Sequence, residues 1–377
     1  MNGQLRIRIF AHSLVSDWNH GNAHFLRGLA RALVLMGHNV RCYEELGAWS
    51  LASLIREEGE TAIQAVDDFR RKYPEIDVHF YQNDDTLQPF LNEELQDVDL
   101  VLIHEWNEPW LVNSVLALKE RYGFRTLFHD THHRAYTRPG ELLRFHLHKF
   151  DGILAFGEAI RRIYTDGFGV PNVWTFHEAA DADIFTPQPA SHDAVVQDTD
   201  VLWIGNWGDD ERTRELTEFL IQPAAALPGR KVVVYGVRYP EQALDKLTQA
   251  GIEYRGYLPN LEAPQAYSQS ALSLHVPRRQ YANGLSGIPT IRVFEALACG
   301  APLLCSPWSD AEDLFRPGQD YLCVPDGKAM QAQIEHLLSD EAARRQLGES
   351  GRETIRRRHT CMHRAQQLIG IYEEMTR

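Results

Sequence analysis

The stretch LRIRIFAHSLVSDWNHGNAHFLRGLARALVLMGHNVRCY (residues 5–43) holds an apolar run, a helical pattern and a second apolar run. Gly37 follows the helical pattern, where a helix commonly ends in the left-handed conformation. A strand, a helix and a strand in this order predict two parallel strands joined by a crossover helix. Arg6 and Arg8 are a local exception, because a central parallel strand is normally apolar throughout. The apolar residues that recur at helical spacing are Phe25, Leu26, Leu29, Ala30 and Leu33.

The same alternation continues along most of the chain. In the first half it predicts strands at residues 5–11, 40–43, 77–81, 98–104, 125–129, 152–156 and 173–177, with additional helices at 51–73. In the second half it predicts strands at residues 201–204, 231–235, 252–254, 272–275, 302–305 and 321–324. We therefore expect an α/β fold with two tandem Rossmann-like, doubly wound domains that face each other across a cleft, where ligands bind at the carboxyl ends of the strands.

The domain boundaries follow from breaks in this pattern. A chain of 377 residues is long enough for two domains. Residues 181–199 contain two prolines and lack periodicity, which is typical of a linker. We predict an N-terminal Rossmann-like domain at 1–180, a linker at 181–199 and a C-terminal Rossmann-like domain at 200–360. The last helix, 361–377, is expected to cross back and pack on the N-terminal domain.

The composition of the chain argues against several classes of partner and of bound metal. A formal net charge of −14 argues against binding a nucleic acid backbone, which requires a basic surface. The sequence has no apolar run long enough to span a membrane and no signal peptide pattern, so we expect a cytoplasmic protein. The five cysteines are scattered and include no CxxC pair, which favours reduced thiols and argues against a zinc site.

The segment GIPTIRVFEALACGAP (residues 287–302) is the most informative for function. It predicts a helix at about 290–299 with Pro289 at the first helical position. The N-terminus of such a helix offers backbone N–H groups and partial positive charge to a pyrophosphate, and Arg292 adds a guanidinium. The carboxylate of Glu295 could accept hydrogen bonds from a ribose diol. An ordinary surface Arg–Glu pair is an equally good interpretation of these residues taken alone.

The run RVFEALACGAPLL resembles the donor-binding helix of GT-B glycosyltransferases of the family 4, or "glycosyl transferases group 1", type. The resemblance is greatest to the spore-maturation-protein (CgeB-like) branch. Further similar segments are IFAHSLVSDWNHGNAHFLRGLARALVLMGHNV, VLWIGNW, VVVYG and IEYRGYL. The resemblance implies that Glu295 holds the donor ribose. Many family members have a second glutamate where this chain has Gly287, so the contact to the donor sugar stays open.

The resemblance also implies a donor site that is formed by loops after the strands. In the N-terminal loop, Gly21 and Asn22 would bring the protein backbone close to the distal phosphate of the donor. Without the resemblance, a simple turn is the preferred interpretation of the segment GNWG (residues 205–208). Arg278, at a strand end, is about equally consistent with a solvated side chain. The donor-site residues that we expect are Gly21, Asn22, Gly205, Asn206, Trp207, Gly236, Arg238, Tyr257, Leu258, Arg278, Thr290, Ile291, Arg292 and Glu295.

The segment HDTHHR (residues 129–134) is the candidate catalytic centre. Imidazole and carboxylate groups can transfer protons near neutral pH, and related enzymes carry a His–Asp pair at this strand end. Alternatives are polar loop residues that cap the next helix and, less favoured, a metal site. Glu178 matches a family position near the interdomain crossing. The catalytic candidates are His129, Asp130, His132, His133 and Glu178.

The resemblance implies a glycosyltransferase of the hexosyltransferase kind, with the N-terminal domain on the acceptor side and the C-terminal domain binding the donor. The resemblance implies metal-independent transfer, with retention at the anomeric carbon, from a UDP- or GDP-sugar as the co-substrate without any further cofactor. The acceptor is left open among a small molecule, a glycan and a protein, and so is the oligomeric state. Alternatives are a sugar-nucleotide epimerase of the same fold and a non-catalytic nucleotide-sugar-binding protein. A nicotinamide-dependent dehydrogenase is disfavoured because neither first strand leads into GxGxxG.

Overall fold

The computed structural model describes residues 3–188 and 198–377. The chain divides into two compact units. The first comprises the residues up to Glu178 together with Cys361–Arg377, and the second comprises Ala179–Thr360. Of the predicted linker, residues 189–197 lie outside the described residues. The preceding residues Ile184 and Phe185 are buried.

The first unit contains a seven-stranded sheet in which all strands are parallel. The strand order is β3-β2-β1-β4-β5-β6-β7, so the chain reverses its direction of travel across the sheet between β1 and β4. In doubly wound folds ligands bind near such a switch point, outside the carboxyl ends of the strands. The strands are β1 (Arg6–Phe10), β2 (Asn39–Glu45), β3 (Val78–Tyr81), β4 (Leu100–His104), β5 (Arg125–Asp130), β6 (Gly152–Ala155) and β7 (Val173–Thr175).

Helices connect these strands. The first helix ends before Gly37, which adopts a φ of 88° and confirms the predicted stop. The additional helices predicted at 51–73 are present as a pair. The helices are α1 (Ala23–Leu35), α2 (Trp49–Glu58), α3 (Thr61–Lys72), α4 (Leu87–Glu94), α5 (Pro109–Tyr122), α6 (Arg134–Thr137), α7 (Pro139–Leu142) and α8 (Glu158–Arg162), followed by a π-helical turn at Ile163–Gly167.

The arginine in the central strand β1 has a structural explanation. Arg8 is buried, and its guanidinium donates to the backbone carbonyl of Glu94 at 3.2 Å and to the side-chain oxygen of Asn39 at 2.9 Å. Buried polar groups are tolerated when they are hydrogen-bonded in this way. The polar residue therefore does not interrupt the sheet.

The second unit repeats the architecture with a six-stranded parallel sheet in the order β10-β9-β8-β11-β12-β13. Its switch point lies between β8 and β11. The strands are β8 (Thr199–Ile204), β9 (Val232–Tyr235), β10 (Glu253–Tyr254), β11 (Ser270–His275), β12 (Leu303–Cys305) and β13 (Leu322–Cys323). The helices are α9 (Thr213–Leu216), α10 (Gln222–Ala226), α11 (Glu241–Gln249), α12 (Ala263–Ser268), α13 (Arg279–Asn283), α14 (Ile291–Ala298), α15 (Gly327–Ser339) and α16 (Glu341–Arg358).

The last helix, α17 (Cys361–Met375), belongs to the first unit, as the sequence predicts. It contacts α1, and its residue Leu368 is fully buried. Arg364 and Gln367 donate to the backbone carbonyls of His177 and Thr175, each at 2.9 Å. Of the helices in the described residues, none is long and apolar enough to cross a membrane.

Candidate functional site

The loops at the carboxyl edge of the second sheet are closely interlocked. After β8 comes loop 205–208, and after β9 comes Gly236. A Cβ atom at Gly236 would lie 2.1 Å from the carbonyl oxygen of Gly205, so this position requires glycine. The side-chain oxygen of Asn206 accepts a hydrogen bond from the backbone N–H of Val237 at 3.1 Å. Trp207 is buried in the core of the unit. The two loops therefore act as one backbone platform.

Helix α14 begins at the end of β11, the strand that neighbours β8 in the sheet. Thr290 is the N-cap residue, with an extended ψ of 162°, and its hydroxyl lies 3.1 Å from Nε2 of His275. Pro289 was expected at the first helical position, and this prediction is wrong: because Thr290 is extended, the helix begins at Ile291. The first turn of α14 contains no acidic residue, so the partial positive charge of the helix N-terminus is not offset within that turn.

The predicted ribose-binding carboxylate is fully buried in this structure. Glu295 accepts hydrogen bonds from the side-chain amide of Asn260 at 2.7 Å and from the guanidinium of Arg292 at 2.5 Å. Arg292 lies one turn earlier on α14, and about a quarter of its side chain is exposed. The predicted pair therefore forms, and the arginine is its more accessible member.

The arginine that the sequence analysis missed is Arg212, which lies just before α9. Its side chain is buried, and it donates to the backbone carbonyls of Asn206 at 2.6 Å and Val276 at 3.2 Å. Its Nε has no hydrogen-bond partner among the side chains that the structure describes, which do not include that of Asp209. Burial, and to a lesser extent the charges of Arg278 and Arg292, lower its pKa to about 10, so the guanidinium stays charged at neutral pH.

Arg212 thus places a buried positive charge at the platform. Buried charges are normally paired, and an unpaired one is costly unless a ligand supplies the opposite charge. Arg278, by contrast, is paired with Glu211 at 2.5 Å. Arg212 lies in the charged run DDERTREL, which is indistinguishable in sequence from a solvated helix. The signal that distinguishes it is burial, which becomes visible only in the fold.

The other predicted donor residues lie on loops of the same unit. Arg238 follows β9 and has a positive φ of 61°, which is uncommon for a residue other than glycine. Tyr257 and Leu258 follow β10, and both are partly exposed. Ile291 is the first residue of α14 and is buried. Arg238, Tyr257 and Leu258 thus follow neighbouring strands of one sheet.

In the first unit, the loop after β1 is held by two buried charged side chains. The carboxylate of Glu44 accepts hydrogen bonds from the hydroxyl of Ser13 and from two backbone N–H groups at residues 14 and 15. Arg27 donates to the carbonyls of the same two residues and pairs with Asp17 at 2.9 Å. These contacts fix the backbone that leads to the predicted donor-loop residues.

Asn22, at the end of this loop, links it to the end of β5, while Gly21 precedes it and is partly exposed. The side-chain amide of Asn22 donates to the hydroxyl of Thr131 at 2.5 Å. The same hydroxyl lies 2.9 Å from Nε2 of His104. The structure thereby brings the N-terminal loop and the HDTHHR segment into contact.

Asp130, a predicted catalytic residue, is fully buried, and both of its oxygens are hydrogen-bonded. Tyr164 donates to Oδ2 at 2.5 Å, and the backbone N–H of His132 donates to Oδ1 at 2.9 Å. Beside it, Glu105 pairs with Arg134 at 2.7 Å. Burial raises the pKa of both carboxyls, and the charge of Asp130 adds to the rise at Glu105. This cluster determines the shape of the turn that carries the neighbouring histidines.

The histidines of this edge differ in burial. His129 is fully buried, and burial lowers its pKa to about 3, so it is neutral. In the part of the chain that the structure describes, neither of its ring nitrogens has a hydrogen-bond partner. His133 lies 3.0 Å from the hydroxyl of Thr137, and His132 is partly exposed and packs edge-on against Trp106. Glu178 is buried at the end of the unit.

The metal alternative gains no support from this geometry. Among the described side chains, no group of three or more His, Cys, Asp or Glu residues is arranged to hold a metal ion.

Part of the chain is similar to a known protein family. Residues 212–370 match a family model described as "Glycosyl transferase-like". The match begins at Arg212 and includes α14. No curated protein matches the chain.

Several solved structures have the same fold. Sucrose-phosphate synthase from Thermosynechococcus elongatus is 16% identical, with a TM-score of 0.64 and 99% of each chain covered. Anabaena Alr3699/HepE in complex with UDP is 13% identical, with a TM-score of 0.67, and the match covers 98% of this chain and 100% of that chain. An α-glucosyltransferase in complex with UDP and a 13-mer DNA is 14% identical, with a TM-score of 0.66 and coverage of 98% and 100%. The chain therefore has the two-domain, Rossmann-like GT-B fold.

Proposed function

We propose that this protein is a glycosyltransferase that transfers a sugar from a nucleotide diphosphate sugar to an acceptor hydroxyl. The match of residues 212–370 to a glycosyl transferase-like family supports transfer chemistry. UDP is the nucleotide bound by two of the similar structures, so a UDP-sugar is the first candidate donor, with a GDP-sugar as the alternative. We further propose that the protein belongs to the CgeB-like branch and transfers a hexose.

The observation that carries the proposal is the buried guanidinium of Arg212 at the platform of the second sheet. A pyrophosphate there would accept a hydrogen bond from the Nε that has no partner among the described residues. It would also accept hydrogen bonds from backbone N–H groups at the start of α14. Donor binding would thus complete an electrostatic arrangement that the protein alone leaves incomplete.

The chemistry follows from this placement. During transfer the bond between the anomeric carbon and the β-phosphate oxygen breaks, and the nucleoside diphosphate leaves with the electron pair. The acceptor oxygen forms the new bond to that carbon, and its proton passes to the departing phosphate oxygen. Preorganised positive charge from Arg212 and the α14 N-terminus would stabilise the leaving group, which is the role that a metal ion has in other enzymes. We propose a metal-independent reaction with retention at the anomeric carbon.

Other residues would position the substrates. Glu295 would accept hydrogen bonds from the ribose, with Arg292 holding its orientation. In the first unit, His132 is our choice for contact with the acceptor hydroxyl or the transferred sugar, because it is partly exposed. His129, Asp130 and Glu178 are buried, so we propose that they act mainly by holding this edge in shape.

The test is incubation of the protein with UDP-glucose, UDP-N-acetylglucosamine and GDP-mannose, with and without EDTA. Separate reactions contain the donor alone or the donor with a mixture of neutral glycosides. We expect one donor to be consumed only when an acceptor is present, at a rate that EDTA does not change. NMR of the product would show the anomeric configuration. Isomerised nucleotide sugar from donor alone would favour an epimerase, and tight binding without turnover would favour a binding protein.

A further inference from the structure

A cleft of about 330 Å³ lies in the first unit, at the carboxyl ends of β2 and β3 and beside the start of α4. This volume is at the lower end of the range for small-molecule sites. The cleft lies at the carboxyl ends of the strands, on the β3 side of the switch point between β1 and β4. Its six lining residues are Leu46, Phe80, Tyr81, Gln82, Thr86 and Phe90.

One wall of the cleft is formed by the rings of Phe80, Tyr81 and Phe90, and we call it the aromatic cleft. The ring of Phe90 lies edge-on at 5.7 Å from Tyr43 and nearly parallel at 6.4 Å from Tyr81. Phe80 and Phe90 are partly exposed, and about half of the surface of Leu46 is exposed. Apolar rings that face solvent next to one another offer both buried area and negatively polarised faces to the C–H groups of a ligand.

The remaining lining is polar and carries no positive charge. Gln82 and Thr86 are exposed and have side chains that can donate and accept hydrogen bonds. None of the six lining residues is Lys or Arg. A phosphorylated or carboxylated ligand would therefore find no cation in the lining to pair with.

Glu45 is the last residue of β2 and directly precedes the lining residue Leu46. Burial raises the pKa of Tyr81, and the charges of Glu45, Glu44 and Glu108 raise it further. Burial also raises the pKa of Glu45, with Glu108 contributing. For the described residues, no ion pair involves Glu45 or Glu108. Unpaired carboxylates accept hydrogen bonds from hydroxyl groups and repel anions.

On the basis of the proposed function, we propose that the aromatic cleft binds a sugar ring of the acceptor that carries no acidic group. The rings of Phe80 and Phe90 would contact the C–H face of the sugar. Gln82, Thr86 and the nearby carboxylates would bind its hydroxyl groups. The two units would then differ in ligand charge: the second attracts an anionic donor, whereas the first excludes anionic acceptors.

The experiment is saturation-transfer NMR with methyl β-glucoside and methyl β-glucuronide, which differ only in the carboxylate at C6. We expect saturation transfer to the glucoside and at least about a tenfold weaker affinity for the glucuronide, the size expected for about 1.4 kcal/mol of charge repulsion. Phe90→Leu, which keeps an apolar side chain, should weaken glucoside binding. Ile63→Ala, at an exposed apolar residue on α3, is the matched control and should leave it unchanged. Glu45→Gln combined with Glu108→Gln should restore glucuronide binding.

Equal binding of both glycosides, binding of neither, or unchanged binding in Phe90→Leu would overturn the proposal. Calorimetry with UDP-glucose on the same samples distinguishes a failure of the proposed transferase function from a failure of the cleft assignment. If the glucoside binds but no nucleotide sugar does, the cleft is confirmed while the proposed transferase function fails. If the nucleotide sugar binds and turns over but the glucosides do not bind, only the cleft assignment fails.

Discussion

The hydroxyl of Tyr164 donates a 2.5 Å hydrogen bond to Oδ2 of Asp130, and both side chains are fully buried. Tyr164 lies in the π-helical turn 163–167, and π-helical turns are often found at functional sites. The bond stabilises the ionised carboxylate and so opposes the rise in pKa that burial causes at Asp130.

Replacing Tyr164 with Phe removes this donor while keeping the ring. We expect Tyr164→Phe to lower the free energy of unfolding by about 1.5–3 kcal/mol at neutral pH, the usual size for a hydrogen bond to a charged group. Urea unfolding measures the change. Tyr136→Phe, at a half-exposed tyrosine on α6, is the control and should cost less than about 0.5 kcal/mol. Equal losses in the two variants would show that the buried bond contributes nothing.

The neutral, buried His129 predicts acid sensitivity. Its folded-state pKa of about 3 lies below the unfolded value of about 6.5. Between these two pH values the unfolded state binds more protons than the folded state. The free energy of unfolding therefore decreases as the pH is lowered. At pH 5 this histidine alone costs about 2 kcal/mol relative to pH 8. We expect His129→Phe to flatten the fall in urea midpoint between pH 8 and pH 5. His148→Asn, at an exposed histidine, should leave the curve of the wild type unchanged.

We predict that removal of the Arg212 charge weakens binding of the pyrophosphate group and leaves binding of the nucleoside largely unchanged. Arg212→Gln should weaken UDP binding by about ten- to a hundredfold, because a charge-assisted hydrogen bond of about 1.5–3 kcal/mol is removed. Binding of uridine, which lacks phosphate, should stay within about threefold. Calorimetry measures both ligands. Arg214→Gln, at an exposed arginine two residues further on, is the control. If UDP affinity falls equally in both variants, long-range charge and not direct contact is responsible.

A side chain at Gly236 is predicted to separate this residue from the loop at 205–208. In Gly236→Ala the new methyl group would meet the carbonyl of Gly205 at 2.1 Å, so the two loops must separate. We expect a lower melting temperature, corresponding to about 1–3 kcal/mol, together with weaker UDP binding. Gly140→Ala introduces a methyl group with nothing within 4 Å and should change neither quantity. Full UDP affinity in Gly236→Ala would show that donor binding does not depend on this platform.

The sheets could be predicted from the sequence because apolar runs and helical spacing are local signals. Each predicted strand has a counterpart in the structure, and helix α17 belongs to the first unit as expected. The start of α14 was misplaced, because proline suits both the first helical position and the residue before an N-cap, and only the dihedral angles of Thr290 distinguish the two.

The site was less predictable, because its decisive features depend on contacts between residues that are distant in sequence. Tyr164 reaches Asp130 across 34 positions, and Arg212 reaches Val276 across 64. Nothing in the local sequence marks either residue as buried. The Arg292–Glu295 pair, by contrast, has the three-residue spacing of neighbouring turns and was predictable as a pair.

Helix α17 has a consequence for biosynthesis. The ribosome makes the chain from the N-terminus, and domains generally fold as units in that order. Here the segment that covers α1 emerges only after the entire second unit has been made. Until α17 has been made, the apolar face of α1 that this helix covers lacks that partner, so the first unit cannot complete its packing before the second unit has been synthesised.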